Sequence, residues 1–235
     1  MTFAQRIDGW LNPIMVKELR QAVRGRFIMT VISLSLLAQI AAGSGLLLTE
    51  SIDPARAVTN PLGGTAFITL FVVLFTATVV FIPLYSGIRM AVERSDTDVD
   101  LLFVTTIRPR TIVIGKLLTT IVLTALVFFV SLPFLVFSYV LRGVDVLSIL
   151  VVLAFAFVAV CSAAIVALFL GCIPASKPFR IVLGLLFLIF ILFVYGSVMT
   201  MLGVFLRSGT TAMFASSDFW TATLIALGLI GIVDT

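Results

Sequence analysis

The chain has no histidine, two cysteines in 235 residues, and charge on only 11% of its positions. Without histidine, an intramembrane metalloprotease has no imidazole ligands for its metal. A serine-type intramembrane enzyme likewise has no base. No Gly-x-x-x-x-Gly-Lys-Ser/Thr phosphate loop occurs, so the chain has no nucleotide-hydrolysing motif of its own. The two cysteines, Cys161 and Cys172, lie eleven positions apart in one apolar stretch. They read as small buried hydrophobes, with a disulfide or metal pair as the alternative.

Charge is also missing from five long apolar stretches, 27–48, 66–88, 117–141, 146–171 and 181–206. Each reaches or exceeds the ~20 residues a helix needs to cross ~30 Å of hydrocarbon. Backbone polar groups in lipid must be satisfied within the segment, so runs of this length imply helices. With 61% hydrophobic residues and a mean hydropathy of +1.28, the chain is expected to be an all-α membrane protein. Five to six transmembrane helices would form a polytopic bundle. A proton- or sodium-coupled carrier usually keeps ionisable groups at mid-membrane, and these stretches carry none. Any transport would therefore draw its energy from elsewhere.

The pI near 9.5 invites a nucleic-acid reading, which the placement of the cations argues against. Before the first stretch lie Arg6, Lys17, Arg20, Arg24 and Arg26. Arg89, Arg94, Arg108, Arg110 and Lys116 follow the second, and Lys177 and Arg180 follow the fourth. The alternate connections hold only Arg56, Arg142 and Arg207. Twelve against three is a positive-inside bias that puts the N-terminus in the cytoplasm of a multi-pass protein of the cell (plasma or inner) membrane. A cleavable signal around Ala41-Ala42-Gly43 is the rival for the first stretch, but the apolar run starts late and the charged lead is long.

Two segments outside the spans carry pattern. In residues 1–26, Asn12 can cap a helix whose first residue is Pro13, where a missing N–H costs nothing. Val16, Leu19, Val23 and Phe27 recur at helical spacing, with Lys17, Arg20, Gln21 and Arg24 on other faces. The reading is an amphipathic interfacial helix with cations toward lipid headgroups, broken at Gly25; a straight extension of the first span is the alternative. In the connection 89–116, Glu93, Asp96, Asp98 and Asp100 lie within eight residues and precede Leu101, Leu102 and Phe103. Thr97 or Asp98 can cap a short helix, Asp98 and Asp100 suit its positive end, and Pro109 limits it. Val99, Leu102 and Phe103 would share a face suited to docking on a protein; a solvated loop that balances nearby arginines is the alternative.

These two segments carry a family likeness. Asn12-Pro13-Ile-Met-Val-Lys17-Glu18-Leu19-Arg20-Gln21 resembles the opening of ABC-2 type transporter permeases. Glu93-Arg94, then Asp100-Leu101-Leu102, then Gly115-Lys116, is similar to that family's first cytoplasmic loop. The family often has Leu-Leu-x-Ser/Thr-Pro, whereas here Leu101-Leu102 leads into Phe-Val-Thr-Thr-Ile-Arg before Pro109. The resemblance implies the membrane subunit of an ATP-driven exporter, paired with a second permease subunit and docked on a separate cytoplasmic ABC ATPase. ATP and Mg would belong to that ATPase, with no cofactor on this chain. Glu93, Arg94, Asp98, Asp100, Leu101, Leu102 and Phe103 would form the coupling helix, and Asn12, Pro13, Lys17, Glu18, Arg20 and Arg24 the interfacial one. Two readings from other classes stand beside it, a non-transporting membrane scaffold and a small channel.

Within the spans, Gln39, Thr76, Thr78, Tyr195, Ser197 and Thr200 are candidates to line a path, with helix packing as the plainer role. Pro83 and Pro133 sit inside spans two and three. Beyond the fifth span, 207–217 reads as a polar outer connection. Residues 219–233 then read as a short sixth helix, about 22 Å at 1.5 Å per residue, or as a chain that ends early.

Overall fold

The structure, a computed structural model, describes residues 19–21, 25–52, 62–95, 109–141, 144–173, 177–215 and 221. Among them the chain is almost entirely helical, with no strand. The helices are α1 (Arg26–Ile52), α2 (Leu62–Ser95), α3 (Pro109–Val140), α4 (Val146–Cys172) and α5 (Lys177–Ala215). All five are long and apolar enough to cross a membrane, the architecture of a multi-pass membrane protein.

The helix ends follow local chemistry. Gly25 bends, and its carbonyl accepts the first bond of α1 from Met29 N–H at 3.5 Å. Glycine leaves helical geometry at least cost, and residues 22–24, across which the expected break would run, lie outside the described residues. Pro109 opens α3, where its fixed φ suits a first helical position and its missing N–H costs nothing. Asp145 precedes α4 in extended conformation, and Ile173 leaves α4 extended because residue 174 is proline. Pro83 and Pro133 lie within continuous helices.

Two expectations need correction. The polar connection from Arg207 is still helix up to Ala215, with no proline there to remove a ladder bond. One glycine, Gly209, costs only about 1 kcal/mol relative to alanine. The spans are also longer than the charge-free runs. The apolar windows Gly63–Val92 and Val113–Val140 include Arg89 and Lys116, because a helix ends where its hydrogen-bond ladder is broken rather than where apolarity stops.

Helix α2 is the hub and packs against the other four. Its most extensive partner is α4, and small residues set their approach where Gly87 of α2 meets Ala167 and Gly171 of α4. A Cβ placed on Gly171 would stand 2.9 Å from the Gly87 carbonyl oxygen, so backbone meets backbone there. Such contact is how helices gain dispersion energy in lipid, where burial of apolar surface gives little. Phe67, Phe71 and Phe75 of α2 stack at 5.9 and 5.7 Å, and Tyr195 of α5 continues the stack at 5.7 Å from Phe75. Helix α1 sits against α2 and α3, and α5 against α2 and α4. The first half of α5 faces outward: from Ile181 to Phe193 most large side chains are exposed, with Phe190 packed against the core, and fully buried residues begin at Val194.

Candidate functional site

The candidate path residues do not converge on one line. Gln39 of α1 is fully buried and donates from Nε2 to Ser131 Oγ of α3 at 2.9 Å. Thr76 of α2 lies 3.3 Å from the Tyr195 hydroxyl of α5, on a different side of the hub. Thr78 is fully buried, and its hydroxyl donates to the Leu74 and Phe75 carbonyls of its own helix at 2.9 and 3.1 Å. Ser197 and Thr200 do the same with Phe193 and Ser197 carbonyls, each at 2.9 Å. Two of the six thus join helices to a partner within the set, Gln39 joins α1 to a residue outside it, and three serve their own helix.

The longest polar feature is a seam along α3 that sequence inspection passes over. Lys116, Thr119, Thr120, Thr124, Ser131 and Ser138 are all buried. Steps of four, four, seven and seven from Lys116 through Thr120, Thr124 and Ser131 to Ser138 hold one helix face, a pattern present in the sequence once α3 is known to start at Pro109. The seam runs about 33 Å at 1.5 Å per residue, close to the thickness of the hydrocarbon layer. Thr119, Thr120, Thr124 and Ser138 donate to carbonyls of their own helix at 2.6–2.9 Å. Their demand for hydrogen bonds is met locally, so the seam is a packed polar contact.

At one end the seam opens into a cleft of about 10 Å³, the room of one water molecule. Tyr85, Ser86 and Arg89 of α2, Lys116, Thr119 and Thr120 of α3, and Leu168 of α4 line it. Arg89 is held from two sides. It donates to the Tyr85 hydroxyl at 2.7 Å and to Gln21 Oε1 of the segment before α1. Its guanidinium carbon lies 5.9 Å from the Tyr85 ring centre, a cation–π distance. Phe27 of α1 stacks on the same ring at 5.4 Å. Leu19 and Tyr85 both pack against the small cluster of Ile28 and Leu123, and Gln21 accepts from Arg89, so the residues before α1 are tied to α2 and α3.

Of the expected interfacial helix, residues 19–21 are helical, and Arg20 is exposed. Asn12, Pro13, Lys17, Glu18 and Arg24 lie outside the described residues. Glu93 and Arg94 fall in the last turn of α2, whereas Asp98, Asp100, Leu101, Leu102 and Phe103 lie outside the described residues, as does the expected sixth helix 219–233 apart from Thr221. Gly115 and Lys116 stand inside α3, both buried, two turns from its start. No disulfide joins Cys161 and Cys172; Cys161 is buried against the helix core, as a small hydrophobe would be. Among the described residues, no three of Cys, Asp and Glu gather to hold a metal ion.

Comparison of the chain with protein-family models, with curated proteins and with solved structures finds no match in any of the three.

Proposed function

We propose that this chain is the membrane permease subunit of an ABC-2 type exporter, driven by a separate cytoplasmic ATPase that docks on the connection between α2 and α3. One observation carries the reading furthest. The two helices that flank the motif-bearing connection run on as unbroken helix to Ser95 and from Pro109, and α2 is the hub of the bundle. At 1.5 Å per residue α2 is about 51 Å long and α3 about 48 Å, well beyond ~30 Å of hydrocarbon. Residues 96–108 are thus carried on two stiff stems that continue into the core. A push on such stems is transmitted by rigid helices to every other span, which a coupling element requires.

In this reading Asp98 and Asp100 open the docking helix, Leu102 and Phe103 supply its apolar contact, and Glu93-Arg94 fixes the end of α2. A second permease subunit would complete the path, and the outward-facing apolar length of α5 leaves area for it and for lipid. The chain itself would perform no chemistry; ATP and Mg would act on the partner. The protein would sit in the cell membrane with its N-terminus and the docking connection in the cytoplasm.

The test is purification of the tagged protein from its native membrane in mild detergent, with mass spectrometry of what accompanies it. A near-stoichiometric partner that carries a phosphate loop is expected. Leu102→Asp with Phe103→Asp should release that partner while membrane insertion is kept, because only the docking face is spoiled. A well-folded protein that brings no ATPase, even after cross-linking through 98–103, overturns the reading in favour of a scaffold or channel.

A further inference from the structure

We infer that a second copy of this chain docks on the outward face shared by α2 and α5, with the hydroxyls of Thr76 and Tyr195 at the centre of the contact. Such a dimer needs only the membrane-spanning fold, and it stands or falls apart from the ATPase.

The starting point is a hydroxyl hydrogen without an acceptor. Thr76 and Tyr195 carry two hydroxyl hydrogens, and the bond between them at 3.3 Å uses one. Neither hydroxyl has another partner among the described residues. Other hydroxyls of the same two helices behave differently. Thr69, Thr78, Ser197 and Thr200 each donate to a carbonyl of their own helix. Thr76 is exposed, and its hydroxyl meets another helix instead of its own backbone.

Depth decides what can supply the missing acceptor. The apolar window of α2, Gly63–Val92, centres between residues 77 and 78, and that of α5, Pro178–Leu206, on residue 192. At 1.5 Å per residue, Thr76 then stands about 2 Å from mid-span and Tyr195 about 5 Å. The polar parts of lipids begin about 15 Å from the centre, and the core between holds no water. Neither reaches this pair. A polar hydrogen left bare in hydrocarbon is costly, so its acceptor is expected on another membrane helix.

The pair suits its own copy. It offers one hydrogen and keeps lone pairs on its oxygens, so donor and acceptor lie on one patch. With a two-fold axis beside the patch, each pair donates to the other, the self-complementarity of an isologous dimer. The surface around the pair allows close approach. Before Val194, α5 exposes Leu185, Leu188, Ile189, Leu192 and Phe193. Beyond Tyr195 it exposes Gly196, Thr200 and Gly203, which share one face at helical spacing. A Cβ on either glycine would meet nothing within 4 Å. Small residues of this kind are what a membrane helix presents to a close neighbour.

The test uses the full chain, purified and reconstituted in phosphatidylcholine vesicles. Copies that carry donor and acceptor dyes are mixed, and energy transfer is followed as lipid dilutes the protein. The wild type should follow a monomer–dimer curve. Thr76→Val removes a hydroxyl on both sides of the axis and should weaken association about tenfold, the worth of two hydrogen bonds between membrane helices. Tyr195→Phe, which keeps its ring against Phe75, should weaken it by a similar factor. Thr76→Ser keeps the hydroxyl and should stay near the wild type. Thr30→Val in α1, whose hydroxyl donates to the Arg26 carbonyl, should change nothing. Thermal unfolding checks that each variant is folded. In a chain whose Cys161 and Cys172 are alanine, Thr76→Cys should form a covalent dimer under mild oxidation faster than Leu186→Cys, on the first half of α5. A protein that stays monomeric at the lowest lipid content overturns the proposal. So do Thr76→Val and Tyr195→Phe variants that associate as the wild type does, or equal cross-linking at positions 76 and 186.

Discussion

Among the described residues, Gln39 is a buried polar side chain whose hydrogen-bonding capacity is only half met. It is fully buried, its Nε2 has Ser131, and its Oε1 accepts no hydrogen bond. Truncating one partner of such a pair strands the other, whereas replacing both with apolar groups removes the demand itself. Ser131→Ala is therefore expected to destabilise the protein by about 0.6–1.7 kcal/mol, the range of hydrogen bonds between membrane helices. The double change Gln39→Leu with Ser131→Ala should cost less than Ser131→Ala alone. Reversible unfolding in mixed micelles measures both, and a double variant no more stable than the single one would show that the Gln39 amide has another partner. Gln39 is visible in the sequence as the one amide in an apolar run. Ser131 is not, since its role is set by the meeting of α1 with α3, ninety-two residues apart, which no local pattern encodes.

At the scale of elements, the joint between α2 and α4 is set by what glycine leaves out. A methyl group on Gly171 would meet a backbone oxygen at 2.9 Å and Met90 Cβ at 3.0 Å, and neither is the free end of a flexible side chain. Gly171→Ala must push the helices apart, at about 1–3 kcal/mol for overpacking. Gly87→Ala, whose nearest contact would be 3.2 Å, should cost less. Gly196→Ala in α5 meets nothing within 4 Å and should be neutral or stabilising by up to about 1 kcal/mol, since alanine is the better helix former. The order Gly171, Gly87, Gly196 in thermal unfolding is the check, and equal effects at all three would remove close approach as the cause. All five helices were legible as apolar runs, because hydrocarbon thickness demands that length of any span. Their ends were less so. Hydropathy falls at Leu206 and rises only at Leu117, but the backbone ladder of α5 runs to Ala215 and that of α3 starts at Pro109. The buried face of α3 was hidden for the same reason, since Lys116 reads as loop until the helix is known to contain it.

Orientation belongs to the whole molecule. If each of the five helices crosses the bilayer, the segment before α1 shares a side with the α2–α3 and α4–α5 connections, and twelve of the fifteen cations lie on that side. The exporter reading depends on it, because the docking connection must meet a cytoplasmic ATPase. The bias is a sum over segments, so it should respond in degrees. Replacing Arg6, Lys17, Arg20, Arg24 and Arg26 with Gln leaves seven against three, and a minority of molecules should invert. Adding Arg94→Gln, Arg108→Gln and Arg110→Gln leaves four against three, and the two orientations should approach equal numbers. The readout is an Asp98→Cys probe in a chain whose Cys161 and Cys172 are alanine, treated in intact cells with a thiol reagent that does not cross membranes. The starting protein should stay unlabelled at position 98, the five-residue variant should label weakly, and the eight-residue variant to about half. Full labelling of the starting protein would place the acidic connection outside the cell, where no ATP-driven partner can reach it. Labelling that stays at zero in both variants would mean that orientation is held by something other than these cations, with the Gln21–Arg89 tie between the N-terminal segment and α2 the first contact to remove.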